Sequence, residues 1–262
     1  MMLQSDTDLV VELAETKPDL RAAQRLRYAV FVKELGASGA EIDHQNELEM
    51  DRFDSFCDHL ILKDKARKKN CPFGGIIGVY RLLRSEQAAR IGQFYSEDEY
   101  DLQRLYATGR NLLELGRSCV HPAYRGGLAM YYLWQALQRY VAEHKVEVLF
   151  GVASFHGTDL QKLAEPLSWL HARHLAPEAL RVAARPGAFQ AMDLIAPARI
   201  DRRAAMLAMP ALIKAYLRLG GYIGEGAFVD FAFKTVDVCL ILDRDRISTR
   251  QKMLYSGDLL KP

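Results

Sequence analysis

Residues 114–128 read ELGRSCVHPAYRGGL and are the most informative segment for the fold. The apolar run over residues 112–120 predicts a β-strand, which Pro122 and the pair Gly126 and Gly127 then interrupt. A helix from about residue 128 to 144 should follow, because its apolar residues recur at helical spacing. The segment is therefore a strand that enters a glycine-rich turn at the start of a helix.

A glycine-rich turn before a helix leaves several backbone N–H groups without intrahelical acceptors and places the positive end of the helix dipole there. Phosphate or pyrophosphate suits such a turn. Arg125 adds a cation, and the glycines allow the ligand to approach the backbone closely. A plain strand-to-helix turn is the alternative interpretation of the same residues.

Working outward, residues 146–153 predict a second strand, so residues 112–153 form a strand–helix–strand unit with one parallel strand pair. Further strands are predicted at residues 9–13, 59–63, 75–82, 227–233 and 236–242. Helices are predicted at residues 18–35, 98–106, 160–174 and 212–219. The fold class is therefore α/β, with a mixed, mostly antiparallel sheet flanked by helices. We expect residues 1–175 to form the core and residues 176–262 to complete the sheet of the same domain.

The composition excludes several classes of protein. The 262 residues carry 35 Lys+Arg and 33 Asp+Glu, a formal net charge of +2, which argues against nucleic-acid binding. The one basic cluster, residues 63–69, predicts a solvated loop, with contact to an acidic partner as the alternative.

The cysteines, histidines and chain start exclude further kinds of site. The four scattered cysteines and the lack of a signal-like start favour a reducing, cytoplasmic location. No apolar run approaches the ~18 residues of a membrane span. No metal site is predicted, because His171 and His174 have helical spacing but no third ligand nearby.

The glycine turn resembles motif A of the GNAT acyltransferases, whose usual pattern is Gln/Arg-x-x-Gly-x-Gly/Ala. Residues 124–129, YRGGLA, align with it on Gly127, with Tyr124 where Gln or Arg is usual. The resemblance implies the acyl-CoA N-acyltransferase fold and a turn that cradles the acyl donor. The tyrosine favours a donor held mainly by its pantetheine arm over coenzyme A.

A second resemblance lies in residues 27–31 (RYAVF), residues 49–54 (EMDRFD), Arg81, Glu114 and Arg117, which are similar to the signature of acyl-homoserine-lactone synthases. Those enzymes are GNAT-like and take acyl groups from acyl carrier protein.

A third, more extensive resemblance identifies the chain as a member of the ornithine lipid synthase family. It rests above all on residues 114–120 (ELGRSCV) and 150–159 (FGVASFHGTD), supported by residues 53–60 (FDSFCDHL), 93–97 (QFYSE) and 214–220 (KAYLRLG). Members transfer a 3-hydroxyacyl chain from acyl carrier protein to the α-amino group of ornithine, forming lyso-ornithine lipid. This implies an acyl-phosphopantetheine thioester as co-substrate with no bound cofactor, and a lipid product that favours peripheral contact with the inner membrane.

The resemblances imply three groups of site residues. The predicted catalytic residues are Glu114, Arg117 and Ser118. Glu114 is the predicted general base, with pairing to Arg117 as its alternative role, and a backbone N–H near Ser118 to Val120 is expected to stabilise the thioester oxygen. Gly116 permits a bulge that would bring Glu114 and Arg117 to one cleft. The predicted acyl-donor residues are Cys119, Val120, Tyr124, Arg125, Gly126, Gly127 and Leu128. The predicted acceptor residues are Arg27, Phe31, Asp51, Asp54 and Arg81.

In the acceptor site, the arginines are expected to hold the carboxylate of the amino acid and the aspartates its side-chain amine. A solvated helix face for Arg27 and loop capping for the aspartates are the alternatives. Three other functions remain open at this point: acylation of glycine or another amino acid, acyl-homoserine-lactone synthesis, and a non-catalytic module that binds acyl carrier protein.

Overall fold

The computed structural model describes residues 8–39, 41–67 and 72–247. The N-terminal residues considered for a signal sequence, the end of the basic run (residues 68 and 69) and Cys71 lie outside the described residues. Cys119 and Cys239 are buried free thiols, and Cys57 is half-buried. Over the described ranges, no helix is both long enough and apolar enough to cross a membrane.

The chain forms seven α-helices within the described residues: α1 (Lys17–Arg27), α2 (Ser85–Ile91), α3 (Gln103–Tyr106), α4 (Ala129–Glu143), α5 (Leu160–His174), α6 (Arg202–Ala208) and α7 (Ala211–Arg218). The strands of the same residues are β1 (Leu9–Leu13), β2 (Ile42–Asp43), β3 (Leu48–Glu49), β4 (Asp58–Asp64), β5 (Ile76–Arg84), β6 (Tyr100–Asp101), β7 (Leu112–Val120), β8 (Val148–His156), β9 (Ala183–Ala184), β10 (Phe189–Gln190), β11 (Tyr222–Ile223), β12 (Ala227–Asp230) and β13 (Thr235–Asp243).

These elements fall into two compact units. Among the described residues, the first comprises residues 8–83 and 115–145, and the second comprises residues 84–114 and 146–247. Strand β7 runs from the second unit into the first, with the division after Glu114. The predicted division at residue 175 stays a prediction.

The first unit holds the strand order β1-β4-β5-β7. Strands β1 and β4 pair antiparallel from Leu9 opposite Asp64 to Leu13 opposite Leu60, and β4 pairs antiparallel with β5. Helix α1 buries its apolar face on this sheet, in a core cluster formed by Ala23, Leu26, Val30, Ile61, Ile76, Val79 and Cys119. Helix α4 packs so closely that a Cβ atom added to Gly78 would lie 3.1 Å from Leu133.

The second unit holds the order β7-β8-β13-β12-β10. The first three residues of β7 pair parallel with β8, which confirms the predicted parallel pair. Strand β13 pairs antiparallel with β8 over nine residues, from Thr235 opposite His156 to Asp243 opposite Val148. Every residue of β13 is buried, as expected for a central strand covered on both faces.

Two predicted helices differ from the structure. The predicted helix at residues 18–35 is α-helical only to Arg27 and continues as a π-helix over Tyr28–Glu34. The predicted helix at residues 98–106 is instead a short 3-10 turn, then β6, then α3. Tyr100 decides the second case, because its buried hydroxyl donates to the carbonyls of Gly226 and Asp237 at 3.1 and 2.9 Å. Such distant contacts override local helical spacing.

Candidate active site

A buried network of ion pairs occupies the first unit, and Arg27 is at its centre. The Arg27 side chain is fully buried; its Nε donates to Glu49 at 2.5 Å and its Nη1 to Asp54 at 2.8 Å. Gln24, one turn earlier on α1, donates to the other oxygen of Asp54 at 2.8 Å. Arg27 is therefore not on a solvated helix face, and Asp54 is more than a loop cap.

Two further arginines complete the network. Arg81 on β5 donates through Nη1 to Asp51 at 2.6 Å and to Asp54 at 2.9 Å. Arg117 on β7 donates through Nε to Glu49 and through Nη2 to Asp51, both at 3.0 Å. Three guanidinium groups thus face three carboxylates, so the formal charges of this set balance.

The network sets the protonation of its acids. Burial by itself raises the pKa of Glu49, but the charges of Arg27 and Arg117 outweigh burial and lower that pKa to about 2. Asp54 shows the same balance, with Arg27 and Arg81 lowering its pKa against the effect of burial. Both carboxylates therefore stay ionised at any physiological pH.

Acid should destabilise the protein through this network. A carboxylate whose pKa is lower in the folded state stabilises that state fully above its unfolded pKa, and this stabilisation is lost as the pH falls towards the folded value. For Glu49 the loss spans the range from its ordinary 4.5 down to about 2. We expect the free energy of unfolding, measured in urea, to fall over this range in the native chain and to fall less steeply in Glu49→Gln.

Glu47→Gln is the matched control for acid stability, because Glu47 is 56% exposed and pairs only with the equally exposed Lys33 among the described ion pairs. Its pH profile should match that of the native chain. A Glu49→Gln profile as steep as the native one would contradict the assignment.

The structure brings five of the predicted residues into this network: Arg27, Asp51, Asp54, Arg81 and Arg117. Phe31 is partly buried against the apolar core cluster of the first unit. Their roles in binding an acceptor stay predictions. Sequence reasoning missed Glu49 as a site residue, although it stands in the EMDRFD motif two residues before Asp51. Its position on β3, buried to 2% exposure, was the missing information.

Strand β7 departs from extended geometry at Arg117. This residue has a φ of +50°, in the left-handed region that non-glycine residues seldom adopt. A left-handed residue within a strand is typical of a bulge, which turns a side chain away from the strand's regular alternation. Strand β7 is therefore irregular at the residue after Gly116, where a bulge was predicted. That this bulge brings Glu114 and Arg117 to one cleft stays a prediction.

The residues after the bulge lead to the predicted donor turn. Ser118 is half-buried, and Cys119 is buried with its pKa raised to about 12 by desolvation. The carbonyl of Val120 accepts a hydrogen bond from Arg125 Nε at 3.0 Å. Burial therefore favours the neutral thiol of Cys119, which packs in the core cluster, and its role in donor binding stays a prediction.

The turn itself is open at the start of α4. Gly126 has a φ of +76°, where glycine is favoured, and a Cβ atom on Gly126 would meet nothing within 4 Å. Leu128 precedes α4, and no side chain caps this helix. The first N–H groups of α4 therefore need acceptors from outside the helix, as the predicted donor site requires.

Two side chains of the turn have acidic partners. The guanidinium of Arg125 forms a two-pronged pair with Glu34, at 2.5 and 2.7 Å. The hydroxyl of Tyr124 donates to Asp64. Arg125 is thus paired with a carboxylate at a partly exposed position, which reduces the positive charge that the turn presents to a ligand.

Glu114 lies in the second unit, where it is buried to 4% exposure. Its carboxylate accepts hydrogen bonds from the backbone N–H groups of Tyr95 at 2.8 Å and Ser96 at 2.6 Å, and from the Ser96 hydroxyl. Glu114 therefore anchors the QFYSE segment that the sequence singled out. Its role as a general base stays a prediction.

Comparison with known proteins extends these observations. Residues 26–135 match the model of the acetyltransferase (GNAT) domain. The chain is 58% identical over 246 residues to the L-ornithine N(alpha)-acyltransferase of Rhodobacter capsulatus, covering 94% of each chain. It is 44% identical over 252 residues to the L-ornithine N(alpha)-acyltransferase of Brucella abortus, covering 95% of this chain and 89% of that one.

The fold is also similar to that of a solved acyl-homoserine lactone synthase, the CoA-dependent BjaI. The TM-score is 0.52 at 12% identity, and the alignment covers 97% of this chain and 90% of that one. At this identity the likeness concerns the fold alone. The predicted GNAT-like fold, and its resemblance to acyl-homoserine lactone synthases, are confirmed.

Proposed function

The chain belongs to the L-ornithine N(alpha)-acyltransferase family, and from that premise we propose that it acylates the α-amino group of ornithine. The single observation that carries the proposal is the 58% identity to a relative of that name over 94% of this chain. The GNAT domain match makes the chain an acyltransferase, and the acceptor is the part that needs a test.

For the donor, we propose a 3-hydroxyacyl group on the phosphopantetheine thioester of acyl carrier protein, giving lyso-ornithine lipid. Two features of the donor turn support this. Tyr124 replaces the usual Gln or Arg, and Arg125 is paired with Glu34. A turn with reduced positive charge suits a neutral pantetheine arm better than the pyrophosphate of coenzyme A. The amphiphilic product supports a cytoplasmic enzyme that contacts the inner membrane peripherally.

For the acceptor, we propose the arginine–carboxylate network of the first unit. One donor in it is unused: Arg27 Nη2 is buried and has no hydrogen-bond acceptor within the described residues. A carboxylate would satisfy that donor, and the planar guanidinium fork suits carboxylates. Asp51 and Asp54 are the proposed partners of the side-chain amine of ornithine. On binding, the amine would replace some of their ion-pair contacts with Arg81.

The chemistry is nucleophilic acyl transfer. The neutral α-amine attacks the thioester carbonyl, an amide forms, the C–S bond breaks, and the thiol of the carrier leaves. A base must take a proton from the attacking amine, and we propose Glu114 for this, directly or through water. Backbone N–H groups at residues 118–120 are the proposed partners of the developing oxyanion.

An acceptor panel tests the proposal. The purified chain would receive 3-hydroxyacyl carrier protein with ornithine, lysine, glycine or S-adenosylmethionine, and free thiol and acylated product would be measured. We expect ornithine to give the highest kcat/KM and an Nα-acyl product. A preference for glycine would overturn the acceptor, and a lactone product would identify a homoserine-lactone synthase. The same assay with the 3-hydroxyacyl group on coenzyme A tests the donor, and we expect it to be slower.

A further inference from the structure

Three carboxylates of the second unit lie together, outside every residue assigned a role above. They belong to Glu99, Asp230 and Asp237, and one oxygen of each lies within 4.8 Å of the other two. Glu99 and Asp237 are buried, with 5% and 3% of their surface exposed, and Asp230 is half-buried. A bound cation would stabilise such a concentration of negative charge.

The fold assembles this trio from distant parts of the sequence. Glu99 immediately precedes Tyr100, whose hydroxyl donates to the backbone carbonyl of Asp237 at 2.9 Å. Asp230 ends β12, and its Oδ1 accepts the backbone N–H groups of Ala232 at 2.7 Å and Phe233 at 2.9 Å in the turn to β13. One oxygen of Asp230 thus shapes the turn, and the other is available to a ligand.

A fourth oxygen points to a ligand independently of the acids. Thr235 lies directly opposite Asp230 in the β12–β13 ladder and two residues before Asp237. Opposed residues, and residues two apart on a strand, share one face of the sheet, so Thr235 lies on the same face as Asp230 and Asp237. The side chain is 5% exposed, and its hydroxyl has no hydrogen-bond partner in the described parts of the chain.

We propose that Glu99, Asp230, Asp237 and Thr235 form a binding site for a hard divalent cation of the size of Ca²⁺. All four ligands are oxygens, which Ca²⁺ and Mg²⁺ prefer and which disfavour softer metals. Ca²⁺ accepts variable oxygen geometries, whereas Mg²⁺ demands near-ideal octahedral coordination and loses its water reluctantly. A site built from side chains of a loop and a hairpin therefore suits Ca²⁺ better.

A cation at this position would join two segments of the second unit. Glu99 follows the 3-10 turn Tyr95–Asp98, whose N–H groups hold Glu114, and the other three ligands belong to the β12–β13 hairpin. Binding would stabilise that turn against the hairpin and satisfy the Thr235 hydroxyl. Ion binding and thermal stability would report this site without any acyl transfer.

The test uses the full-length chain treated with EDTA and then titrated with CaCl₂ or MgCl₂ at constant ionic strength. Calorimetry would measure binding, and Tm would be followed by circular dichroism. We expect saturable binding of a single Ca²⁺, weaker binding of Mg²⁺, and a Tm rise of roughly 5–10 °C at a hundredfold excess over Kd.

Asp230→Asn is the informative variant, because the amide oxygen can keep the turn hydrogen bonds while the charge is lost. Asp201→Asn is its matched control: Asp201 accepts two backbone N–H bonds at the start of α6 and lies outside the trio. We expect Asp230→Asn to weaken Ca²⁺ binding by about tenfold or more and Asp201→Asn to leave it unchanged.

Thr235→Val keeps the shape of the side chain and gives a second readout. It should raise the Tm of the EDTA-treated protein, because it removes a buried hydroxyl that has no hydrogen-bond partner there. It should also reduce the Tm rise with Ca²⁺, because it removes one ligand. The site is overturned if the native chain shows no saturable Ca²⁺ response, or if Asp230→Asn responds as Asp201→Asn does. Binding of Mg²⁺ as tight as that of Ca²⁺ would overturn the choice of ion.

Discussion

Glu114→Gln is expected to reduce kcat by on the order of 10²–10⁴, the usual contribution of a general base, in the ornithine acylation assay. The same change should lower the free energy of unfolding by about 1–3 kcal/mol. The physical reason is that an amide group must place N–H donors against the N–H of Tyr95 or Ser96, which the carboxylate now accepts. Both effects would be measured on one preparation, by steady-state kinetics and urea denaturation.

Two variants distinguish the proposed role of Glu114 as a general base from its structural role in holding the backbone of Tyr95 and Ser96. Ser96→Ala removes one donor to Glu114 but leaves the carboxylate and both backbone donors. Glu97→Gln replaces a neighbouring carboxylate by an amide. This weakens the hydrogen bonds that Glu97 accepts from the Phe94 N–H at 2.8 Å and from the Tyr106 hydroxyl. We expect both to lose stability and keep most of kcat. If Glu114→Gln also kept kcat, Glu114 would be an anchor only, and another group would have to take the proton.

Arg27→Met should be among the most destabilising substitutions in the first unit. It removes the guanidinium that lies 2.5 Å from Glu49 and 2.8 Å from Asp54, and leaves Glu49 with Arg117 and Asp54 with Arg81. Removing one member of a buried ion pair typically costs about 3–5 kcal/mol, because the remaining charge stays buried. Urea denaturation at pH 7 would measure the loss, and acylation of ornithine should fall with it if the acceptor binds as proposed.

Arg25→Met is the matched control for this variant. Arg25 is exposed on the same helix, α1, so it tests the loss of a charge and a hydrogen-bonding group without burial. We expect its stability to stay close to that of the native chain. Equal effects of the two substitutions would show that the buried network does not stabilise the first unit.

Much of the backbone could be predicted from local patterns. Strands β1 and β7 and helix α5 have the predicted bounds, because short apolar runs, helically spaced apolar residues and an N-capping Asp159 define them within a few residues of sequence. The helix over residues 18–35 and the one over residues 98–106 were wrong in part. There the deciding contacts, such as those of Tyr100 with Gly226 and Asp237, come from more than a hundred residues away.

The candidate site shows the same limit. The sequence motifs identified Arg27, Asp51, Asp54, Arg81, Glu114 and Arg117 as chemically important. They could not give the pairing, because which carboxylate meets which guanidinium depends on the relative positions of α1, β3, β5 and β7. Glu49 was missed for that reason, and the backbone partners of Glu114 could not be foreseen.

The sequence by itself therefore determined the family, the GNAT-like fold class and the list of reactive side chains, since these depend on residue identity and short-range spacing. Only the tertiary structure decided which charges are buried together, that Arg125 is already paired with Glu34, and that Glu99, Asp230 and Asp237 converge beside Thr235. Charges interact through distance and burial, and both are set by contacts between residues far apart along the chain.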